Sequence, residues 1–294
     1  MCSSDLLRAP WYAIATKWLV LPTYSTAMLL WKCLVLIAGL SFALFWSQRW
    51  WAAAAVCWSL PFVSALEQGQ DTPIMLLSVA GCVHLIKRNN DHAAGFILAF
   101  ATIKPHLIAP VLFLLFFAKR WKVLSGFLMG ATFLAGISFW AEGWRWPIQY
   151  FTQLMEPRWY NGNTASPNIN GLLPWLSNST KILISSIALL ASLPALAWTT
   201  RHKGIEVGVW AALPIAVICS FHAYTQDILL SIPLALLAIG TGLAHSRISG
   251  VFLLSPVSTY ALAAWIPMLG PAIRSEEHTS ELQSLAYLVC RLLL

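Results

Sequence analysis

Apolar runs of helical length, parted by short polar connections, dominate this sequence and decide most of what the chain can become. They fall at about 26–46, 50–66, 73–86, 93–118, 123–140, 180–200, 205–221, 228–243 and 251–270. The chain is 59% hydrophobic and only 10% charged, against roughly 45–50% and about 25% for ordinary globular domains. That leaves too little polar surface to cover a water-soluble core. Eighteen basic against eleven acidic residues is too sparse for a nucleic-acid-binding face. Several runs are shorter than the ~20 residues of a perpendicular span, so they are expected to extend into their polar flanks. The pattern reads as an all-α polytopic membrane protein with about nine hydrophobic segments.

Tryptophan supports this. Trp46, Trp50, Trp51, Trp121, Trp140, Trp144, Trp146, Trp175 and Trp198 sit at run ends, as an interfacial aromatic belt requires. Cysteine and histidine add little. Cys33, Cys57, Cys82 and Cys219 lie inside apolar runs, without metal-ligand spacing. No motif calls for a cofactor, and the carboxylates of the 67–71 turn admit a divalent ion without forming a metal motif.

The basic residues set the topology. Arg49, Lys87/Arg88, Lys119/Arg120/Lys122, Arg201/Lys203 and Arg247 flank the runs, and the positive-inside tendency places all five groups in the cytoplasm. One conflict arises, because Lys87/Arg88 and Lys119/Arg120 bracket the single run 93–118. Lys104-Pro105 stands at its middle, and each half is too short to cross alone at ~1.5 Å per residue. A re-entrant or broken helix pair, turning at Lys104-Pro105, removes the conflict. The alternative is one tilted, Pro-kinked helix with a basic loop outside. With the hairpin, the polar connections fall on the extracytoplasmic side: the leading segment (Met1–Pro22, read as a loop), Glu67–Thr72, the Lys104 turn, the loop 141–179 and His222–Asp227.

Those connections hold the candidate chemistry. Glu67, Gln70 and Asp71 suit a divalent ion or sugar hydroxyls; equally, Asp71 or Thr72 is a helix N-cap with Pro73 at N1. Lys104, followed by His106, lies deep in an apolar run, where an ammonium costs ~2.5–3.5 kcal/mol on insertion scales unless an anion meets it. A lipid phosphate is such an anion; snorkelling from a helix end is the other reading. In the long loop, 147–155 reads as an interfacial helix. Asn163 and Asn168 suit either sugar hydroxyls or plain turns. His222, Tyr224 and Asp227 gather at a helix end, as catalytic groups or as a cap.

The stretch from Glu67 to Gly130 resembles the centre of glycosyltransferase family 87, a bacterial membrane family that includes polyprenyl-phosphate-mannose-dependent mannosyltransferases. The likeness rests on the order Gly69-Gln70, Lys87-Arg88, Ala94-Gly95, Lys104-Pro105 and Lys119-Arg120-Trp121. It implies a GT-C-type helical bundle in the bacterial inner (plasma) membrane. The enzyme would be a hexosyltransferase, and specifically a mannosyltransferase. It would take a polyprenyl-phosphate sugar donor and a glycan or glycolipid acceptor, with the bilayer as a further partner. In that frame His222 and Asp227 are catalytic candidates, and Lys104, His106, Glu67, Gln70, Asp71, Asn163, Asn168 and Tyr224 bind substrate. The family's general base is expected in a first extracytoplasmic loop, which here offers only Asp5, a residue that fits no family motif. The chain is therefore read as a fragment whose base lies upstream, with an inactive fragment as the alternative to an active one. Asp71-Thr72 departs from the family's usual Val-Asn after Gly-Gln. A transporter or flippase for a lipid-linked sugar, or a non-catalytic membrane subunit, are the alternatives.

The end of the chain breaks character. RSEEHTSELQS, from Arg274, back-translates to a string resembling a sequencing-library adapter. The domain is accordingly expected at 1–273, incomplete at both ends, with 274–294 as a non-native tail.

Overall fold

The computed structural model describes residues 9–47, 50–154, 168–169, 173, 175–220 and 223–240. The run 251–270, the tail 274–294, Asn163 and His222 lie outside the described residues. Among the described residues every regular element is helical. In order they are α1 (Pro10–Thr16), a 3-10 turn (Lys17–Val20), α2 (Tyr24–Ser47), α3 (Trp50–Trp58), α4 (Leu60–Glu67), α5 (Thr72–Lys87) and α6 (Asp91–Ala99). A 3-10 turn (Phe100–Ile103) leads to α7 (Pro105–Phe117), α8 (Trp121–Glu142), α9 (Trp146–Leu154), α10 (Asn178–Lys203) and α11 (Ile205–Cys219). The 3-10 turn Thr225–Ser231 and α12 (Ile232–Gly240) follow.

Three helices, spanning Tyr24–Leu44, Trp121–Glu142 and Asn178–Lys203, are long and apolar enough to cross a bilayer alone. Among the described residues the other apolar runs form shorter pieces. Run 50–66 divides at Ser59, where Pro61 opens α4. Run 93–118 divides at Lys104, which has extended φ and ψ of −125° and 79° before Pro105, the conformation a residue preceding proline prefers. The fold is thus the all-α membrane class, built from three long helices around a group of short ones.

The divided run goes in and comes back. Arg120, after α7, reaches Asp91, at the start of α6, at 3.9 Å. His92 Nδ1 and Ser125 Oγ are 3.0 Å apart, so α6 and α8 begin side by side. Lys87 pairs with Glu206 at 2.6 Å, which brings the start of α11 to the same end. The basic groups at 87–88, 119–122 and 201–203 therefore share one end of the bundle.

Glycine makes this hairpin possible. A Cβ on Gly95 would collide with the Val123 carbonyl, and one on Gly126 with the His92 carbonyl. At Gly130 it would stand 2.7 Å from Ala99 Cβ. In lipid, apolar burial gives helices little reason to associate, and close backbone approach between small residues supplies van der Waals contact instead. Only glycine fits this α6–α8 seam. Beside it, Met75, Leu76, Leu107, Ile108, Leu213 and Leu229 fill the fully buried centre.

The leading segment differs from the expected loop. Pro10 occupies the first turn of α1, where its missing N–H costs nothing. Trp11 and Tyr12 are buried, stacking edge-on against Phe100 and Trp31 at centroid distances of 6.1 Å each. The Trp11 N–H donates to Ser138 Oγ at 3.1 Å, pinning α1 to the far end of α8. Sequence periodicity misses so short a helix because tertiary aromatic packing, not amphipathic repetition, holds it.

A recessed charged cluster as the candidate functional site

The helices differ in length, and this difference builds the site. At ~1.5 Å per residue, α7 reaches only roughly 20 Å from the basic end, and α5 slightly further. The long helices α2, α8 and α10 rise beyond them by about 10 Å or more. One hydrogen bond fixes this offset. Trp31 Nε1, seven residues into α2, donates to the Gly69 carbonyl at 2.5 Å. Gly69 adopts φ +68°, a left-handed turn that glycine enters without steric cost. The turn between α4 and α5 is thus held below the outer rim.

At the floor of this recess, side chains from three sequence-distant elements converge. Lys104 Nζ lies 2.6 Å from Asp227 Oδ1 and donates to Thr72 Oγ1 at 3.0 Å. Thr72 Oγ1 donates in turn to Asp227 Oδ1 at 2.8 Å. The Tyr224 N–H donates to Asp227 Oδ2 at 3.0 Å. Asp71 Oδ1 stands 3.7 Å from the ammonium. Both carboxylates are buried, and the Lys104 side chain retains 11% exposure. One largely enclosed cation faces two buried carboxylates. Each removed partner should be felt, because an uncompensated charge at this depth is expensive.

Local structure explains how each group arrives. Pro73 sits in the first turn of α5, leaving Asp71 and Thr72 at its entry. Pro105 starts α7, so Lys104 projects from a break rather than a helix wall. Asp227 stands in the 3-10 turn after α11 and accepts from the backbone of the residue that caps this turn, Tyr224.

The other expected site residues distribute unevenly. Gln70 is buried beside the cluster's Asp71. Asn168 is fully buried, its Nδ2 donating to the Ser220 carbonyl at 2.9 Å, which ties the long loop to the end of α11 just before residues 223–227. Tyr224 is half-buried and contributes its N–H. His106 is exposed on the first turn of α7, and Glu67 is exposed on the last turn of α4. Glu67 and Asp71, considered together from sequence, therefore have opposite environments. Among the described residues no group of three or more His, Cys, Asp or Glu forms a metal-binding arrangement. Thr72 was legible only as a capping residue, yet its hydroxyl bridges Lys104 and Asp227. Gln226, fully buried next to Asp227, carried no signal beyond its neighbours.

A helix forms at Trp146–Leu154, where one was expected at 147–155, with Ile148 and Phe151 exposed and Trp146 packed on Phe139 at 5.7 Å.

Compared with known proteins, the chain matches the sequence model of glycosyltransferase family 87 over residues 6–225, about three quarters of its length. No curated protein and no solved structure matches.

Proposed function

The chain belongs to glycosyltransferase family 87, and on that premise we propose that it moves a hexosyl group, mannosyl foremost, from a polyprenyl-phosphate donor to a glycan or glycolipid acceptor. Membership makes it a membrane glycosyltransferase; donor, sugar and sidedness are the proposal. The reaction is placed at the extracytoplasmic face of a bacterial inner membrane, because the cluster lies opposite the basic end and positive residues favour the cytoplasm.

The single observation that carries the reading is the recessed Lys104, fixed by Asp227 and Thr72. In the transfer, the acceptor oxygen bonds to the anomeric carbon as the bond from that carbon to the phosphate oxygen breaks. The electron pair leaves with the lipid phosphate, and the hydroxyl proton passes to a carboxylate. Lys104 meets the charge that develops on the phosphate, as a preorganised cation in a low-dielectric site. Asp227 has Oδ1 held by Lys104 and Thr72 and Oδ2 by the Tyr224 N–H. That occupancy suits positioning Lys104 better than receiving a proton. Asp227 is therefore assigned as the positioning residue for Lys104, with His222 assisting the transfer. Gln70, Asn168 and Tyr224 are proposed as the groups that meet sugar hydroxyls.

The test is mannosyl transfer from polyprenyl-phosphate mannose by the protein in its membrane, with product identified by mass. Lys104→Met should raise donor KM and lower kcat, the loss reaching about 10²–10³ in rate. Lys104→Arg should recover part, since its charge is kept but its geometry is not. Near-normal turnover in Lys104→Met at equal expression would remove Lys104 from the site. Donor movement across the bilayer without product would favour a flippase.

A further inference from the structure

α10 shows a second buried cation, away from the Lys104 cluster. Most of this helix faces outward: Leu183, Ile187, Leu190 and Trp198 are between 56% and 64% exposed. Its buried residues are Lys181, Ser185 and Leu196. Lys181 is 7% exposed and Ser185 1%. Residues four apart share a helix face, so the two lie together on the inward side. Among the described residues the Lys181 side chain makes neither an ion pair nor a hydrogen bond, its backbone N–H alone bonding to the Ser177 carbonyl at 2.9 Å, and Ser185 Oγ is buried without a partner. A serine inside a helix ordinarily returns its hydroxyl to the carbonyl four residues back; this one does not.

A lysine near a helix end ordinarily snorkels to water with its stem extended along the surface; with 7% of the residue exposed, Lys181 is enclosed along its length instead. Its position compounds the cost. Ser177 caps α10 by accepting from the Thr180 N–H at 3.2 Å, so Lys181 stands in the first turns, where the helix dipole disfavours a cation and favours an anion. An unpaired ammonium, an unpaired hydroxyl and a helix N-terminus are all resolved by the same ligand.

The height of the site names that ligand's class. Gly208 abuts Thr200 of α10 and Leu114 of α7, which registers the two helices. Counting ~1.5 Å per residue from there, Lys181 lies roughly 13 Å further from the basic end than Lys104, and about 33 Å from Lys203. That separation matches the ~30 Å hydrocarbon core and puts Lys181 at the headgroup level of the opposite leaflet.

We infer that Lys181 and Ser185 form a subsite for the phosphate of a lipid headgroup in the leaflet opposite the basic end. The inference needs only the membrane placement and stands whether or not Lys104 serves sugar transfer. The experiment is thermal unfolding of the purified full chain in detergent, titrated with dihexanoyl phosphatidylglycerol, citronellyl phosphate, sodium phosphate or, as control, an uncharged diacylglycerol. Ligand binding raises the midpoint by mass action. The wild type should be stabilised by at least one phosphate-bearing probe and not by diacylglycerol. A response to phosphatidylglycerol alone assigns bulk membrane lipid; to citronellyl phosphate alone, an isoprenyl phosphate; to sodium phosphate as well, the anion itself. Lys181→Met should weaken binding at least tenfold, as loss of a charged hydrogen bond does. Lys181→Arg should stay within about threefold. Without ligand, Lys181→Met should be as stable as the wild type or more so, because a buried unpaired charge is gone. That result separates the subsite from a structural lysine, whose loss would destabilise. Equal affinity in Lys181→Met, a lower unliganded stability in it, or no response to any phosphate probe would overturn the assignment.

Discussion

Removing the two partners of the Lys104–Asp227 pair should have unequal consequences. At an effective dielectric of ~20, the 2.6 Å contact with Asp227 is worth about 6 kcal/mol of gross Coulomb attraction. The 3.7 Å approach of Asp71 adds about 4.5 kcal/mol by the same relation. Desolvation cancels most of both, but the asymmetry survives. Asp227→Asn removes one attraction and leaves Asp71 facing the ammonium. Lys104→Met removes both and leaves two buried carboxylates without the ammonium between them. We expect the first to cost about 2 kcal/mol and the second about 3–5 kcal/mol, the range for breaking a buried pair. At roughly 2–4 °C per kcal/mol for a domain of this size class, the midpoints should fall by roughly 5 °C and 10–15 °C. Lys104→Met with Asp227→Leu should regain much of the single-lysine loss, since one of the stranded carboxylates has gone. The assay is heat-induced exposure of buried thiols, such as Cys82, in detergent-solubilised protein. Should Lys104→Met prove as stable as Asp227→Asn, the cluster would not be the largely enclosed three-charge arrangement described, and the argument for its cost would fail.

Packing and topology give two further tests. Gly126→Leu should cost at least the ~1–3 kcal/mol of ordinary overpacking, because its neighbour is the unyielding His92 carbonyl; Gly136→Ala, where an added Cβ meets nothing within 4 Å, should stay within about 1 kcal/mol. Both are read as thermal midpoints in detergent, and a tolerated Gly126→Leu would refute the close α6–α8 seam. In a version lacking native cysteines, Asn90→Cys and Trp121→Cys should label together from the cytoplasmic side and Glu67→Cys from outside; labelling of Asn90→Cys from outside intact cells would refute the shared basic end.

Much of the architecture was legible because lipid punishes exposed charge and unsatisfied backbone locally. Apolar run length located α2, α8 and α10 within a few residues, without tertiary information. The charge conflict around 93–118, with Lys104-Pro105 at its centre, required a chain that enters and returns; the Asp91–Arg120 contact shows both ends together. The depth of Lys104 called for an anion or a snorkelling side chain, and the anion that sequence offered was a lipid phosphate. Tertiary structure supplies Asp227, 123 positions away, with Thr72 bridging them. No local pattern encodes that pairing, which depends on α5, α7 and the turn after α11 ending at one level. The same holds for α1, held by Trp11 and Tyr12 against distant aromatics. It holds also for Lys181, which in sequence merely borders an apolar run. A residue's cost in lipid depends on its own chemistry and is written in the sequence. Which distant group relieves that cost depends on how helices of unequal length stack, and only packing decides it.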